Sequence, residues 1–503
     1  MNLLRWSLIS FPEFCVANLA FLGLLQIYGS LTANATGNIF HYICGTKRFP
    51  MNVHFIAIGG SAMHNLAIAL HHKGYKVTGS DDEIFDPAKT RLQKLGLLPD
   101  AIGWNPEFIH NGLDAVILGM HAKGDNPELQ KAKALGLKIY SYPEYLYEQA
   151  KDKIRVVIGG SHGKTTITAM ILHVLKQAGI DTDYMVGAQL EGFDVMVRLT
   201  KDARFMVFEG DEYLTSALDR RPKFHVYQPH IALISGIAWD HVNVFPTFDN
   251  YVEQFRIFAG MVPPEGSLIY CAEDENVVAA SASAAENVHK LPYACPDYNI
   301  KNGTTYLNYN GKSIPMKIFG HHNVLNLEGA RYVCEAMGVD TGTFYNAIST
   351  FSGASRRLEF VAGNDSCSVY KDFAHSPSKL QATINAVKEQ FPDRKLIACM
   401  ELHTYSSLNL QFLEEYRNTM NKADVAVVFY SRHALELKRL PFFTTEDVGK
   451  AFGRDDIQVF NENTKLIEFL KSLKWNHANL LMMSSGNFEG ADLKDLAETL
   501  INK

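Results

Sequence analysis

The sequence lacks several features that would assign it to a specialised class of protein. Its seven cysteines include no C-x-x-C pair, and the chain has no long run of like charge, no low-complexity tract and no internal repeat. The scattered cysteines therefore predict buried, reduced thiols rather than a disulfide framework. With a net charge of -6 the chain has no basic surplus of the kind that binds nucleic acid, so we expect no nucleic-acid partner.

The composition is otherwise that of an ordinary globular protein. Hydrophobic residues make up 47% of the 503 residues and charged residues make up 20%. A chain of this length has room for about two to four domains, each with its own core.

Residues 1–50 resemble a leader segment more than a folded domain. A mostly apolar stretch at 19–31 is followed by an Ala-x-Ala pattern at 33–35, as in a secretory signal, but it is too short to cross a bilayer. Met51 stands directly before the first strand of a complete domain. We interpret residues 1–50 as a non-native extension or a disordered leader, and expect a cytoplasmic protein without stable membrane association. A membrane-anchored protein that uses this segment is the alternative.

From Met51 onward short apolar strands alternate with helical patterns, which is typical of parallel α/β layers. Changes in this alternation predict three units, at 51–150, 151–355 and 356–503. Strands are expected in the first and third units at 53–58, 75–79, 115–118, 137–140, 396–400, 425–430 and 479–483. The sequence thus predicts three α/β domains.

The most informative segment lies around Lys164. An apolar strand enters a glycine-rich loop that ends in Lys-Thr at the start of a helical pattern, and Gly179 fits the end of that helix. Such a loop presents backbone N–H groups and a helix N-terminus to phosphate oxygens. The lysine reaches the β- and γ-phosphates, and the hydroxyl of Thr165 can hold Mg²⁺.

The spacing of this loop departs from the usual P-loop, which has four residues between its first glycine and the Gly-Lys pair. Here only Ser161 and His162 separate Gly160 from Gly163. The alternative is an ordinary strand–turn–helix corner that happens to contain glycine and lysine. Because strand, glycines, Lys-Thr and helix all occur in register, the pattern favours nucleotide binding.

Two further apolar strands of the second unit end in groups that bind metal ions. Glu209 follows the strand at 205–208, and Asp240 and His241 follow the strand at 231–237. Ligands of open α/β sheets bind beyond the carboxyl ends of the strands, so these groups are expected to face the crevice that holds Lys164. With Thr165 they could complete a Mg²⁺ site. A solvated acidic loop at 209–212 is the alternative.

A second glycine turn follows the first predicted strand, at Gly59, Gly60 and Ser61. A dinucleotide-binding fingerprint would place glycine at Ala62 and Asn65, so the match is weak and a packing turn is the alternative. The next strand ends near Asp81.

Taken together, these motifs resemble the Mur ligase family, the ATP-dependent amide-forming enzymes of peptidoglycan synthesis. Four segments carry the resemblance in the family's order: GSHGKTT at 160–166, Glu209 with Asp240 and His241, GHHNVLN at 320–326, and RRLE at 356–359 followed by DFAHSP at 372–377. The resemblance covers nearly everything from Met51 onward. It implies a Rossmann-like domain for the UDP part, a central P-loop ATPase domain and a Rossmann-like C-terminal domain.

The resemblance also implies roles for individual residues. It assigns catalysis to Lys164, Glu209 and His241, and metal binding to Thr165, Glu209 and His241. The UDP part falls to Gly59, Gly60, Ser61 and Asp81. The predicted ATP contacts are Gly160, Ser161, His162, Gly163, Lys164, Thr165, Thr166, Asn323 at the adenine, Arg357 at a phosphate, Asp372 at the ribose, and His375. As an alternative, His321 and His322 could be ordinary loop residues and Arg356 only a surface ion pair. Some members use a carbamylated lysine, which this sequence does not place.

Two branches of the family begin with a domain like residues 51–150. One adds L-alanine to UDP-N-acetylmuramate, and the other, in peptidoglycan recycling, adds the tripeptide L-Ala-γ-D-Glu-meso-diaminopimelate. The segments 208–213, 218–224 and 239–245 look more like the recycling branch, so we interpret the chain as the tripeptide ligase, acting through an acyl phosphate. The segments 401–406 and 484–488, where the incoming amine should bind, match neither branch.

Three alternatives remain. They are the L-alanine ligase, a more distant member of the superfamily such as a folylpolyglutamate synthetase or cyanophycin-type ligase, and a catalytically inactive nucleotide-binding regulator. The UDP-type first domain argues against the distant members, and the intact Lys164, Thr165, Glu209 and His241 argue against the regulator.

Overall fold

The alternation of strands and helices builds three mostly parallel sheets and one small antiparallel sheet. The computed structural model describes residues 51–190, 192–193, 195–216, 219–354 and 357–502. The predicted leader at 1–50 and the predicted ion-pair residue Arg356 lie outside the described residues. The α/β class expected from the sequence is confirmed, and each of the three predicted units contains one of the mostly parallel sheets.

The first sheet has four parallel strands in the order β2-β1-β3-β4. Its elements are β1 (Asn52–Ile56), α1 (Ser61–His72), β2 (Lys76–Ser80), α2 (Ala88–Lys94), β3 (Ala115–Leu118), α3 (Pro127–Ala134), β4 (Ile139–Ser141) and α4 (Tyr142–Ala150). The strand expected at 53–58 ends earlier, at Ile56, because Ala57 has a φ of 72° and leaves the extended conformation. Similarly, β4 lies slightly later than the expected 137–140.

The second sheet has seven strands in the order β11-β10-β9-β5-β8-β6-β7, all parallel except β7 at the edge. The elements of this region are β5 (Ile154–Gly159), α5 (Lys164–Gln177), β6 (Thr182–Met185), β7 (Val197–Arg198), β8 (Phe205–Glu209), α6 (Lys223–Val226), β9 (Ile231–Ile234), α7 (Phe248–Gly260), β10 (Ser267–Cys271), α8 (Glu275–Ser281) and β11 (His289–Tyr293). Helix α5 ends before Gly179, whose φ is 70°, as expected.

A small antiparallel sheet and two helices follow. They are β12 (Tyr298–Lys301), β13 (Thr304–Tyr309), β14 (Lys312–Met316), α9 (His321–Ala336) and α10 (Thr341–Ile348). Helix α9 packs against α5, and it thereby brings its own first turn beside the loop that precedes α5.

The last sheet has six strands in the order β15-β16-β20-β17-β18-β19, with only β15 antiparallel to its neighbour. The elements are β15 (Glu359–Gly363), β16 (Cys367–Asp372), α11 (Pro377–Gln390), β17 (Lys395–Leu402), β18 (Val425–Tyr430), α12 (Arg432–Leu437), α13 (Thr445–Phe452), β19 (Gln458–Phe460), α14 (Asn463–Ser472), β20 (Ala478–Met483) and α15 (Leu493–Ile501). Apolar side chains are buried on both faces of this sheet, as a parallel sheet covered by helices requires.

The strand order of the second sheet determines where a site can form. Strand β5 lies between β8 and β9, so the loops that follow these three strands leave the same edge side by side. In the part of the chain that the structure describes, the five cysteines are free thiols, and none of the helices combines the length and apolar character needed to cross a bilayer.

Candidate nucleotide site

The glycine loop between β5 and α5 is held by the end of β9. The φ of Gly160 is 132° and that of Gly163 is 79°, conformations that favour glycine. The Ser161 N–H donates to the Gly236 carbonyl at 2.9 Å, and the Ser235 hydroxyl donates to the His162 carbonyl. The loop is therefore fixed before any ligand arrives.

Lys164, at the first position of α5, forms a short ion pair across the cleft. Its Nζ donates to Glu212 Oε2 at 2.5 Å and to the Gly160 carbonyl at 2.6 Å. Burial alone would lower the pKa of Lys164, but the carboxylates of Glu212 and Asp211 outweigh it and raise that pKa. Burial correspondingly favours the neutral form of Glu212, yet the Lys164 charge lowers its pKa to about 2. Both groups are ionised at neutral pH.

A buried tyrosine ties Glu212 to the glycine loop. The Tyr251 hydroxyl lies 3.1 Å from Glu212 Oε1 and 2.8 Å from Ser161 Oγ, and Ser161 Oγ accepts from the Ala238 N–H at 2.9 Å. Tyr251 is on α7 and is fully buried. Tyr251 is not predicted from the sequence, because a tyrosine within a helix carries no motif signal.

Thr165 and Glu209 form a second pair. The Thr165 hydroxyl donates to Glu209 Oε1 at 2.6 Å, and the other carboxylate oxygen accepts from the Gly187 N–H at 2.7 Å. Arg357 Nη2 donates to Thr165 Oγ1 at 3.3 Å, so a residue that lies just before β15 of the last sheet reaches the start of α5.

The structure groups the predicted metal ligands differently from the sequence. His241 Nε2 lies 3.6 Å from Glu212 Oε1, and ligand atoms of Asp211, Glu212 and His241 lie within 4.8 Å of one another. Burial lowers and the Glu212 and Asp240 carboxylates raise the pKa of His241, and the net shift is upward. Asp211 and Glu212 carry a sequence signal, since both follow a buried strand, but Glu209 is the one residue of that acidic loop among the predicted ligands.

Asp372 lies at the end of β16, and both of its carboxylate oxygens accept hydrogen bonds from backbone N–H groups. Its Oδ2 accepts from the Leu358 N–H at 2.6 Å and its Oδ1 from the Ala374 N–H at 2.6 Å. Burial raises the pKa of Asp372 despite the opposing charge of Arg357. The Arg357 guanidinium lies 4.8 Å from the ring centre of Phe373.

The carboxylate of Asp240 contacts three partners. Its Oδ1 accepts from the His241 N–H at 2.8 Å, and its Oδ2 lies 3.4 Å from Lys379 Nζ and 3.9 Å from His375 Nε2. Burial favours the neutral form of Asp240, but Lys379 and His241 outweigh it and hold its pKa well below the usual value. Burial, aided by the Lys379 charge, lowers the pKa of His375 to about 3, so that histidine is neutral.

The first turn of α9 also lines the cleft. Asn323 Nδ2 donates to the Phe319 carbonyl at 3.0 Å, and burial lowers the pKa of His322 to about 4. His321 pairs instead with Glu273 at 2.9 Å and is exposed. The two histidines of this motif therefore differ in environment.

One cavity, which we call the nucleotide cavity, is lined by most of these groups. Among the predicted residues, those that line it are Ser161, His162, Gly163, Lys164, Thr165, Thr166, Glu209, His241, Asn323, Arg357, Asp372 and His375. Gly160 contributes the carbonyl that binds Lys164. Asp240, which the sequence placed with His241 in the possible Mg²⁺ group, also lines it. The other lining residues, not predicted as ligands, include Glu212, Asn326, Ser378, Lys379 and Thr383.

The first glycine turn lies at the carboxyl edge of its own sheet. The Gly59 N–H donates to Asp81 Oδ2 at 2.6 Å, and α1 begins at Ser61, which is exposed. Burial is the main cause that raises the pKa of Asp81. The structure thus brings the four residues predicted for the UDP part to one place.

The two segments that match neither branch also meet. The buried carboxylate of Glu401, at the end of β17, accepts from the Ser484 hydroxyl and from the Phe488 N–H, the latter at 2.9 Å. His403 Nδ1 lies 3.8 Å from Glu401 Oε1. A cavity beside them is lined by Phe373, Ser484 and Phe488, and it shares Asp372 with the nucleotide cavity.

Three family models match the chain, and together they span most of it. Residues 52–154 match the Mur ligase family, catalytic domain, 158–334 the Mur ligase middle domain, and 356–486 the Mur ligase, glutamate ligase domain. The chain belongs to the Mur ligase family. Enzymes of this family are ATP-dependent amide-bond ligases, and the chain is an enzyme of that class.

Comparison with curated relatives corrects the branch. A UDP-N-acetylmuramate–L-alanine ligase of Sulfurihydrogenibium sp. is 33% identical, over 75% of this chain and 82% of the relative. The enzyme of the same name from Caldanaerobacter subterraneus is 31% identical, over 89% and 97%.

Eight such relatives, 27–33% identical, all carry this name, so the recycling interpretation was wrong. The physical reason is that residues of segments 208–213 and 239–245 line the nucleotide cavity. Residues that bind the nucleotide do not distinguish a ligase that uses one amine from a ligase that uses another.

Solved structures show the same fold. A UDP-N-acetylmuramate–alanine ligase from Thermotoga maritima matches with a TM-score of 0.63 and 20% identity, over 90% of this chain and 98% of that one. A murein peptide ligase from Psychrobacter arcticus matches with a TM-score of 0.59 and 24% identity, over 90% and 99%.

Proposed function

We propose that this ligase joins the carboxylate of UDP-N-acetylmuramate to the amino group of L-alanine, with ATP as the energy source. The observation that carries the proposal is the single cavity in which Lys164, from the central region, faces Arg357, Asp372 and Lys379, from the last region. The curated L-alanine ligases support the choice of substrates. We further propose domain limits at 51–150, 151–355 and 356–503.

The nucleotide is proposed to bind with its phosphates on the glycine loop. Lys164 would exchange the Glu212 carboxylate for phosphate oxygens, since both are anionic acceptors and the ammonium is already in place. Backbone N–H groups of residues 160–166 and the N-terminus of α5 add partial positive charge. Asn323 is proposed at the adenine, Arg357 at a phosphate and Asp372 at the ribose.

The donor set suits Mg²⁺. Carboxylate and hydroxyl oxygens are the ligands that this ion prefers, and Thr165, Glu209 and Glu212 present such atoms at the cavity wall, with the imidazole nitrogen of His241 beside Glu212. When bound, Mg²⁺ would offset the negative charge of the phosphate oxygens. We propose Thr165, Glu209 and His241 as its ligands.

The reaction needs an activated carboxylate, because condensing a carboxylate with an amine in water is unfavourable. A muramoyl carboxylate oxygen forms a bond to the γ-phosphorus while the bond from that phosphorus to the β–γ bridging oxygen breaks, and ADP leaves. The amine then attacks the acyl carbon and loses a proton, and inorganic phosphate leaves with the electron pair of the carbon–oxygen bond. Lys164 and Arg357 serve by holding anionic oxygens in place.

The first domain is proposed to hold the UDP part. Its turn resembles an anion site, because the N-terminus of the twelve-residue helix α1 is open at Ser61 and Asp81 fixes the backbone of Gly59. We propose contacts from Gly59, Gly60, Ser61 and Asp81.

The amine is proposed to enter beside Glu401. This buried carboxylate fixes the loop 484–488, and the cavity formed there opens beside Asp372 of the nucleotide cavity. An amine bound there would lie next to the activated carboxylate. Glu401 is a positioning residue in this account, because its described contacts are to protein groups.

The test is amine-dependent phosphate release by the purified protein. With ATP, Mg²⁺ and UDP-N-acetylmuramate present, we expect L-alanine to support release and the tripeptide L-Ala-γ-D-Glu-meso-diaminopimelate to support little. Release with the tripeptide but not with L-alanine would overturn the proposed amine while leaving the ligase chemistry intact.

A further inference from the structure

Lys379 is a second lysine of the nucleotide cavity, and neither the motifs nor the proposed mechanism uses it. It is the third residue of α11, and it lines the same cavity as Lys164. The two lysines lie on helices that follow strands of different sheets. Lys164 begins α5, which follows β5 of the central sheet, and Lys379 is on α11, which follows β16 of the last sheet. The cavity is therefore lined by a lysine from each of the two regions.

The ion pair of Lys379 is looser than that of Lys164. Its Nζ lies 3.4 Å from Asp240 Oδ2, compared with 2.5 Å between Lys164 and Glu212. Asp240 also accepts from the His241 N–H and lies near His375, so its charge is shared. Among the described residues, Asp240 is the one hydrogen-bond acceptor for the three N–H donors of Lys379.

The helix that carries Lys379 directs its positive end into the same space. Ser378, Lys379, Ala382 and Thr383, from the first two turns of α11, all line the cavity. The Ser376 side chain does not cap the helix, so the first backbone N–H groups of the fourteen-residue helix remain available. The lysine and the helix terminus together make the last region electropositive where it faces Lys164.

We propose that Lys379 binds oxygens of the transferring phosphoryl group from the side opposite Lys164. The γ-phosphoryl of ATP and the phosphate of the acyl phosphate are the same group, which exchanges its bond to the ADP oxygen for a bond to the muramoyl carboxylate oxygen. A cation on the carboxylate side can stay with this group throughout the transfer. The inference rests on the proposed ATP site and is independent of the identity of the amine.

A purely structural role makes a different prediction. If Lys379 only joined the two regions through Asp240, its loss would affect every nucleotide alike. If it binds the terminal phosphate, its loss weakens the binding of a nucleoside triphosphate and leaves the binding of the diphosphate unchanged. Comparing the two nucleotides therefore separates the roles.

The experiment uses the full chain with Lys379→Met and Lys379→Arg. Lys388→Met is the matched control, because Lys388 lies on the same helix but pairs with Asp424 away from the cavity. Calorimetry with Mg²⁺ measures the Kd of ADP and of the β,γ-imido analogue of ATP. We expect Lys379→Met to raise the Kd of the analogue by at least about tenfold and the Kd of ADP by less than about twofold. Lys379→Arg should be intermediate, and Lys388→Met unchanged.

Equal weakening of both nucleotides, or of neither, would overturn the inference. If the wild-type chain bound neither nucleotide, the ATP site itself would be wrong, which is a distinguishable result. Should Lys379→Met unfold because Asp240 is left without its lysine, the double variant Lys379→Met/Asp240→Asn removes both charges, and the same selective loss is expected relative to Asp240→Asn alone.

Discussion

The two glycine turns of this protein look alike in sequence but use glycine for different physical reasons. In the turn before α5, Gly160 and Gly163 have positive φ, and an added Cβ would collide with the Ser235 and Asn326 side chains respectively. In the turn before α1, the positive φ falls on Ala57 instead.

At Gly59 the constraint is space, because an added Cβ would lie 2.9 Å from both Asp81 Oδ2 and Ile84 Cγ1. At Gly60 the nearest atom, in Met63, would be 3.5 Å away, an ordinary contact. A pair of glycines before a helix therefore does not reveal which glycine is required.

The lysine is the largest difference between the turns, since the first turn has none. Lys164→Ala should reduce ligation by about a thousandfold or more, because it removes the buried cation that faces the phosphates. Phosphate release under saturating substrates measures it, and Lys176→Ala, an exposed lysine at the other end of α5, is the control. Ligation at the wild-type rate by Lys164→Ala would show that the loop is misassigned. Because the buried Glu212 carboxylate loses its lysine in Lys164→Ala, Lys164→Ala/Glu212→Gln checks that a folded protein is also inactive.

Backbone conformation is the next difference. Gly163→Ala should lower kcat/KM by about a hundredfold, since the strained residue and its Cβ displace the loop from its place beside Asn326. Gly179→Ala is a matched control, because Gly179 also has positive φ but no atom would lie within 4 Å of its Cβ. It should cost only stability, about 1 kcal/mol in thermal unfolding. Equal loss of activity in both variants would mean that strain alone, rather than the site, is responsible.

The first turn can be tested by its contrast in space. Gly59→Ala should raise the KM for UDP-N-acetylmuramate by about fivefold to tenfold, the weight of roughly one hydrogen bond, because Asp81 must move from its backbone contact. The KM for ATP should stay constant, and Gly60→Ala should change neither. Steady-state kinetics with each substrate varied measures both KM values. A parallel rise in the KM for ATP would contradict a role of Gly59 that is confined to the UDP part.

The smallest expected effect concerns how each turn is fastened. Asp81 binds the first turn directly, whereas Tyr251 reaches the second through Ser161. Tyr251→Phe should raise the KM for ATP by about threefold, since one buried hydroxyl bridge to Glu212 is lost. Tyr147→Phe, which removes an exposed hydroxyl bound to Gln228, is the control. No change in the KM for ATP would show that Ser161 and Glu212 hold their positions without the tyrosine.

The site residues that could be predicted from the sequence are those that belong to a short contiguous motif. Lys164 and Thr165 stand in a glycine loop between a strand and a helix, and the structure has that strand and that helix. Glu209 and His241 follow strands that border β5, so their arrival at one edge follows from the sheet order. The α/β class followed from the same alternation.

What sequence could not find arises from packing between distant segments. Tyr251 and Lys379 are single polar residues in ordinary helices, and only the folded chain brings them to Ser161 and Asp240. The predicted grouping of Glu209 with His241 likewise could not anticipate that His241 faces Glu212. The branch was misjudged because two of the three segments compared, 208–213 and 239–245, contribute residues to the nucleotide cavity rather than to the region of Glu401 and Ser484.

We expect the Lys164 cavity to activate a carboxylate by phosphorylating it, and the transfer of an oxygen isotope reports that step. UDP-N-acetylmuramate labelled with ¹⁸O in the muramoyl carboxylate is incubated with ATP, Mg²⁺ and L-alanine, and the released phosphate is analysed by mass spectrometry. We predict that one labelled oxygen appears in each phosphate formed by the wild-type protein. Unlabelled phosphate, released at the rate at which amide forms, would contradict this expectation.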